Sequence, residues 1–414
     1  MRILMLTDFY RPLLGGQERH VENLSIELTN RGHEVAVATL WHAGLERFER
    51  DRGVRIYRIQ GTVQRAAGLF RQTGRRFAPP APDPETLWAL RQIIRRERPQ
   101  IVHAHSWIVH SFLPLKIWSG AKLVVTLHDY SLRCATKTLM YRERPCRGPA
   151  PERCPGCAAT HYGPLKGGAT LAAHRATLPW LVAAADRFIA VSRAVAQGNG
   201  LIDSGRPYRV IPNFIADRLE TPAEDLAGYL DQLPTSEYLL FVGALNRHKG
   251  LHVLLDAYTR LDNAPPLALI GIWADTDLPL PAGVRVFQHW PHAAVMGAWQ
   301  CCAIGIVPSI WPEPCPTVAM EAMLAGRPLV ATHTGGLPDL VAHEETGLLV
   351  PPGDAGELAA ALARLLADPT LRQRMGAAGR ERVRAFQARA VIPQIEALYA
   401  ELLEPTGELV TVNR

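Results

Sequence analysis

A chain of 414 residues has the length of two or three ordinary domains, and its 48% apolar and 20% charged residues exclude a disordered chain. The net charge of +6 is uneven: the first hundred residues hold 17 Arg, no Lys and 11 acidic residues, so they carry the whole excess and the other 314 are neutral. No run approaches the ~20 apolar residues that cross a bilayer, and the apolar start Met1–Thr7 is too short for a secretion signal, so a cytoplasmic location is expected.

Apolar runs alternate with amphipathic stretches from end to end. Ile3–Thr7 reads as a buried strand, His20–Arg31 as a helix with Val21, Leu24 and Leu28 on one face, and Glu34–Leu40 as the next strand. Strand, loop, helix and strand together are the seed of a doubly wound parallel sheet. Val54–Ile59, Ile101–His103, Lys122–Leu127, Arg187–Val191 and Arg209–Ile211 continue it. Residues 61–86 hold several Gly, Arg and Pro without a dominant period and are expected to form a mobile basic loop. Pro212-Asn213 ends this series, and 215–236 read as a linker. A second series runs through Tyr238–Val242, Leu267–Ile270, Val284–Phe287, Ile304–Pro308 and Leu329–Ala331. Ile392–Leu403 reads as a last amphipathic helix, and the tail after Pro405 as frayed. The fold class is therefore α/β, with two Rossmann-like doubly wound domains, 1–217 and 236–385, whose facing strand ends form a central cleft.

Three segments carry chemistry. Gly15-Gly16 lies between the first strand and its helix, where backbone N–H groups can approach a phosphate and the helix adds its positive end. Gly243 to Gly250 follows the first strand of the second half, and its Arg247 and Lys249 suit a diphosphate. Ser309 to Met323 leaves a strand and enters a helix near Pro316, a residue suited to a first helical turn. Glu313 then lies in the loop, able to accept from sugar hydroxyls. Glu321 lies within the helix, able to hold a ribose diol, and the first-turn N–H groups at Thr317 and Val318 face phosphate.

These segments resemble the retaining GT-B glycosyltransferases of family 4. Gly15-Gly16-Gln17-Glu18-Arg19-His20-Val21 is similar to the family's glycine loop, Leu127-His128-Asp129 to its His-Asp segment, Gly243–Gly250 to its basic loop and Glu313 to Glu321 to its E-x7-E motif. Val191-Ser192-Arg193, Ile211-Pro212-Asn213, Thr334–Asp339 and Thr346–Val350 resemble further family segments in the same order. The resemblance implies a GT-B pair of domains with a C-terminal helix, 386–404, packing back on the first. It implies that Arg247 and Lys249 hold the diphosphate, Glu321 the ribose and Glu313 the transferred sugar. His128 would sit near the reacting face, and Gly16 would give an N–H to phosphate. It implies transfer without a metal, since the cations neutralise the leaving group. Three positions depart from the family pattern: Ala244 stands where an Arg is usual, so that Arg247 takes its part; Cys315 and Pro316 replace an aromatic residue and a glycine; Asp339 replaces a glutamate.

Seven Cys in a chain of this kind read as thiols or metal ligands rather than a disulfide framework. Four of them, Cys134, Cys146, Cys154 and Cys157, crowd an insert at about 130–160, and Cys154-Pro155-Gly156-Cys157 is a C-x2-C knuckle. Four thiolates can close a structural zinc site or hold an iron–sulfur cluster. Free thiols or a disulfide are the alternative. Cys301, Cys302 and Cys315 read as core or pocket residues.

The expected activity is transfer of a sugar from a nucleotide-diphosphate sugar to an acceptor, with cell-surface polysaccharide or glycolipid synthesis as the setting. A nucleotide-sugar epimerase of the same fold and a silent nucleotide-sugar binder are the competing readings. No nucleic-acid-binding module is recognisable, and no such partner is expected. The arginines of the first half, Arg65, Arg71, Arg75, Arg76, Arg91, Arg95, Arg96 and Arg98 among them, suggest peripheral contact with an anionic membrane and a lipid-linked acceptor.

Overall fold

Runs such as Leu4-Met5-Leu6 and Ile304-Gly305-Ile306-Val307 have no polar alternation, so they fit strands covered on both faces. The computed structural model, which describes residues 1–13, 15–65, 76–217, 226–274 and 278–404, shows them fully buried in parallel sheets. The strands in chain order are β1 (Arg2–Leu6), β2 (Glu34–Leu40), β3 (Phe48–Asp51), β4 (Val54–Ile59), β5 (Ile101–Ala104), β6 (Lys122–Leu127), β7 (Met140–Tyr141), β8 (Arg144–Pro145), β9 (Arg187–Ala190) and β10 (Tyr208–Val210) in the first half. The second half holds β11 (Leu239–Val242), β12 (Leu267–Ile270), β13 (Val284–Phe287), β14 (Ile304–Val307), β15 (Leu329–Thr332) and β16 (Gly347–Val350).

The first sheet has the order β10-β9-β6-β5-β1-β2-β4-β3, parallel except for β3 against β4. The second has the order β13-β12-β11-β14-β15-β16 and is parallel throughout. Each reverses direction beside its own first strand, between β1 and β5 and between β11 and β14. Those are the switch points at which doubly wound sheets bind ligands. β7 and β8 form a separate antiparallel hairpin inside the cysteine-bearing insert.

Caps fix where several helices begin. Asp83 accepts from the Thr86 N–H at 2.9 Å, and Pro84 starts the helix Pro84–Glu97. Asp354 and Asp368 do the same for Ala355–Ala367 and Pro369–Arg382. The helix after β1 spans Gly16–Asn30, a full turn earlier than its apolar face announces. Pro316 is the N-cap rather than the first residue of the helix Thr317–Leu324.

The last helix, Ala388–Leu403, packs Val391, Ile392, Ile395, Leu398 and Tyr399 against β1, β2 and the Gly16–Asn30 helix. Each such side chain contributes about 1.5–3 kcal/mol of burial before ordering costs. Arg31 and His33 pair with its Glu396 at 2.7 and 2.9 Å, and Arg187 and Arg209 pair with its Glu401. The two chain crossings between halves lie side by side: Ile215 and Gln387 form a parallel bridge, the Ile215 N–H donates to Phe386 O at 3.1 Å, and the Ala388 N–H to Ile215 O at 3.0 Å.

Much of the positive excess of the first half is used internally. Arg11 and Arg52 both pair with buried Glu22, Arg55 with Glu97, Arg58 with Glu49 and Arg65 with Glu85. Thr62–Arg65 is a short helix within the stretch read as a loop. Arg71, Arg75, residues 218–225 of the linker and the tail from 405 lie outside the described residues. Cys302 and Cys315 are buried as expected, whereas Cys301 is exposed, because it closes a helix whose buried face ends at Trp299. Among the described residues no helix is long and apolar enough to cross a membrane.

Candidate active site

β1, β5 and β6 are neighbours in register, so the residues just past their ends converge. Asp8 is buried there. It accepts from Ser106 Oγ at 2.9 Å, from the Ile108 N–H at 2.9 Å and from the Ala78 N–H at 3.3 Å. Burial raises its carboxyl above the ordinary range, against the lowering effect of Lys137 and these donors.

His128 follows β6, and its Nε2 shares a proton with His105 Nδ1 at 3.0 Å. One of the two rings must donate, so each fixes the tautomer of the other. The His128 Nδ1 makes no hydrogen bond of good geometry, and the Asn213 side chain is the polar group beside the ring. His20, one turn into the first helix, stands edge-on to His128 at 4.9 Å. His103, inside β5, bridges Tyr399 Oη and Thr126 Oγ1, both at 2.6 Å. Burial holds His20 and His103 neutral, down to about 3. Burial, then the neighbouring rings, keeps His105 and His128 well below the usual histidine range. Among the described residues, His20, His105 and His128 are the group whose ligand atoms come within 4.8 Å of one another, the spacing a metal would need.

Across the cleft, the loops after β11 and β14 lie on either side of the second switch point. Gly250, at φ +75, starts the helix Leu251–Thr259, and a Cβ there would come within 1.9 Å of Pro308 O, so the two loops touch through a glycine. The contact places Lys249 against the β14 loop. Its Nζ donates to Glu313 Oε1 at 2.5 Å, and Ser309 Oγ donates to the same oxygen at 2.6 Å. Gly335, at φ +57, leaves room for the Glu313 backbone, and the Gly336 N–H donates to Glu313 O at 2.6 Å. Glu313 is thus buried and held from three sides. Glu321, in the helix two turns on, is also buried and pairs with His292 Nε2 at 3.1 Å.

A cavity of about 470 Å³ lies between the halves, lined by Gly16, Arg19 and His20 from the first and by His292, Thr317 and Glu321 from the second. A Cβ at Gly16 would meet nothing within 4 Å, so that helix start opens onto the space. The Gly15 N–H, by contrast, is taken by Glu18 Oε2 at 2.9 Å. Val318 packs against the core, leaving Thr317 as the cavity-facing residue of its turn. Gly243 sits in the turn beyond β11 with its carbonyl against Gly271. Arg247 is turned to the insert, where its Nε donates to Glu143 at 3.0 Å. Tyr130, next to the His-Asp segment, donates to Pro312 O at 2.8 Å and ties the two loops across the cleft. Asp339 lies on another face of the cleft, accepting from the Arg193 N–H at 2.8 Å. Cys134, Cys146, Cys154 and Cys157 are free thiols lining one cavity of about 350 Å³ in the insert.

Asp8, Arg19, His20, His105 and His292 were given no role from the sequence. Only His20 carried a local signal, one turn after Gly-Gly on a helix aimed at the cleft.

The family model "Glycosyltransferase Family 4" matches residues 14–218, and "Glycosyl transferases group 1" matches residues 231–382. The glycogen synthase of Mycobacterium tuberculosis is 27% identical over 416 residues, covering 92% of this chain and 90% of that one. Sucrose-phosphate synthase from Thermosynechococcus elongatus superimposes with a TM-score of 0.75 at 23% identity, over 97% of this chain and 98% of that one. Anabaena HepE in complex with UDP-glucose superimposes with a TM-score of 0.69 at 18% identity, over 96% and 99%.

Proposed function

The chain belongs to the GT-B glycosyltransferases of family 4, and from that membership we propose that it is a retaining enzyme moving a sugar from a nucleotide-diphosphate sugar to an acceptor. The observation that carries the reading is the shared cavity: the open helix start at Gly16 faces Thr317 and Glu321 across the cleft. A diphosphate between two helix N-termini meets their free N–H groups, and a ribose diol meets the Glu321 carboxylate. HepE was solved with UDP-glucose on the same fold, which supports a donor of this class.

In this reading Lys249 stabilises the charge that develops on the departing diphosphate, and Arg247 joins it once released from Glu143. Glu313, fixed by Lys249 and Ser309, takes the hydroxyls of the transferred sugar. His128 and its partner His105 stand at the first-half wall, and no protein nucleophile is assigned. The acceptor hydroxyl attacks on the face the diphosphate leaves, and the configuration at the anomeric carbon is retained. Transfer needs no metal, so any ion in the cysteine insert is structural.

We assign the acceptor side to the first half, with a lipid-linked or polysaccharide acceptor at an anionic membrane on the cytoplasmic side. Trp88, Ile117 and Trp118 are exposed at 64%, 96% and 47%, and Arg91 and Arg95 lie over the Trp118 ring. Aromatic and cationic side chains in one patch suit a headgroup layer.

The test is a screen of UDP-, GDP-, ADP- and TDP-sugars for thermal stabilisation, followed by anomer analysis of the product from the donor that binds. One donor should stabilise strongly and give a product with the donor's anomeric configuration. No stabilisation by any donor removes the cavity assignment, and an inverted product removes the retaining assignment.

A further inference from the structure

The insert between β6 and the helix Pro164–Ala184 has only a small apolar cluster of its own and otherwise leans on the main core through Tyr130, Leu132, Cys134 and Leu139. The cluster that belongs to it consists of Ala135, Ala158 and Leu171, with Cys154 packed alongside. Its backbone is nonetheless sharply bent: Lys137, Leu139, Arg142 and Glu143 all have positive φ, between 48° and 66°. Left-handed backbone at a residue as bulky as leucine persists only where surrounding structure over-determines it. A segment with so small a cluster of its own gains from a cross-link of the kind small domains use, a disulfide or a metal.

Four free cysteines supply candidate ligands for such a staple. Cys134, Cys146, Cys154 and Cys157 all line the same cavity, with the other three close enough to act on the Cys157 thiol, but no three of their sulfurs lie within 4.8 Å of one another, so an ion would have to draw them together. Cys154 and Cys157 lie at the first turn of the helix Cys154–Tyr162, where C-x2-C spacing puts two side chains on one side. Cys146 follows the β7–β8 hairpin and Cys134 precedes it. Each thiol has only a weak local contact: Cys134 with Thr136 Oγ1 at 3.2 Å, Cys146 with Gly148 O at 3.3 Å, Cys157 with Met140 O at 3.8 Å. Cys154 Sγ accepts the Ala150 N–H at 3.2 Å, the bond a ligating thiolate commonly receives. The rest of the lining is mostly apolar, with His174, and its charged members are all basic, Arg133, Arg153 and Arg175, with no carboxylate.

We propose that Cys134, Cys146, Cys154 and Cys157 bind one structural zinc ion that pins the β7–β8 hairpin. Four thiols release four protons to solvent as four Zn–S bonds form, which leaves two net negative charges on the site. The three arginines are placed to offset them. The pinned hairpin carries Glu143, which reaches across the cleft to Arg247. The zinc therefore sets how the first half engages the basic loop of the second. This consequence for Arg247 rests on the donor reading above, whereas the metal site itself does not.

The test uses the full chain, expressed with zinc and purified without chelator under reducing conditions. Native mass spectrometry and elemental analysis should find about one zinc per chain. A mercurial reagent should release it as the thiols are titrated. Cobalt substitution should give the intense visible bands of a tetrahedral thiolate site. Cys154→Ser with Cys157→Ser should lose the metal, while Cys301→Ser, at an exposed thiol elsewhere, should keep it. Should the double variant not fold, the wild-type metal content and the cobalt spectrum still decide. Four freely titrating thiols with no metal, a Cys154–Cys157 disulfide in peptide maps, or an iron–sulfur chromophore in anaerobic preparations would each overturn the assignment. Zinc present in a protein that binds no nucleotide sugar would leave the metal site standing and remove only the donor reading.

Discussion

Lowering the pH from 7.5 to 5.5 should destabilise this protein well before its carboxylates titrate. His20, His103, His105, His110 and His128 are buried, and burial holds all five as neutral rings, His20, His103 and His110 at about 3. In the unfolded chain each returns to about 6.5. A group whose folded value is depressed takes up its proton only on unfolding, so stability falls as pH drops below 6.5. At pH 5.5 the linkage is RT ln(1 + 10), about 1.4 kcal/mol per ring and about 7 kcal/mol for the five. Asp8 acts in the opposite sense, because its raised carboxyl favours the folded state at lower pH. Over two pH units one group can return at most about 2.7 kcal/mol, so a net loss of about 4–7 kcal/mol remains. With an unfolding entropy of about 0.9 kcal/mol/K for 414 residues, Tm should fall by about 5–8 °C. Scanning calorimetry at constant ionic strength measures it, and His110→Met should flatten the slope by removing one titrating ring. A Tm that is flat or rising from pH 7.5 to 5.5 would refute the buried-neutral reading of the cluster.

Lys249→Ala should lower kcat by about 10²–10³-fold with the fold intact, and a wild-type rate would take the Lys249–Glu313 pair out of the chemistry. Glu321→Ala should weaken free-nucleotide binding by about 10–150-fold, the ~1.5–3 kcal/mol of a hydrogen bond to a charged group, as read by calorimetry. Glu313→Ala should leave that binding near wild type and lower turnover, so a pair of variants that behave alike would undo the division of roles. The protein should co-sediment with anionic vesicles at low salt and leave them at high salt. Trp88→Ser with Trp118→Ser should weaken that recovery, and equal recovery with neutral vesicles would point to a soluble acceptor.

The parts of the fold that could be read from the sequence were those fixed by local pattern. Glu34–Leu40, Val54–Ile59, Lys122–Leu127, Leu267–Ile270 and Val284–Phe287 have the bounds their apolar runs suggest. β3, with the sequence Phe-Glu-Arg-Asp, could not be found that way, because an antiparallel edge strand buries neither face and shows no apolar period. Lys249, Glu313 and Glu321 were visible through their place at strand and helix ends. Asp8 and His105 were not, since what gathers them is sheet order. Asp8 meets Ile108 one hundred residues away only because β5 inserts beside β1, and no short-range spacing encodes that neighbourhood. Arg247 shows the converse: its position in the basic loop was legible, while its partner Glu143 lies in an insert whose turns follow no period.

The adjacent crossings at Ile215 and Gln387 make the second half a guest within the first. The chain leaves its host at one point and re-enters it beside the same point, with Ile215 O accepting from the Ala388 N–H. The host's sheet and its closing helix are therefore contiguous in space though some 170 residues apart in sequence. Joining Ile215 to Ala388 through a few glycines should give a self-standing host that keeps the Tyr399–His103 contact, and the excised guest would begin and end at neighbouring points. Two strands of chain at one seam would let the halves rock about a single line only with the Tyr130–Pro312, Arg193–Asp339 and Arg247–Glu143 contacts opened.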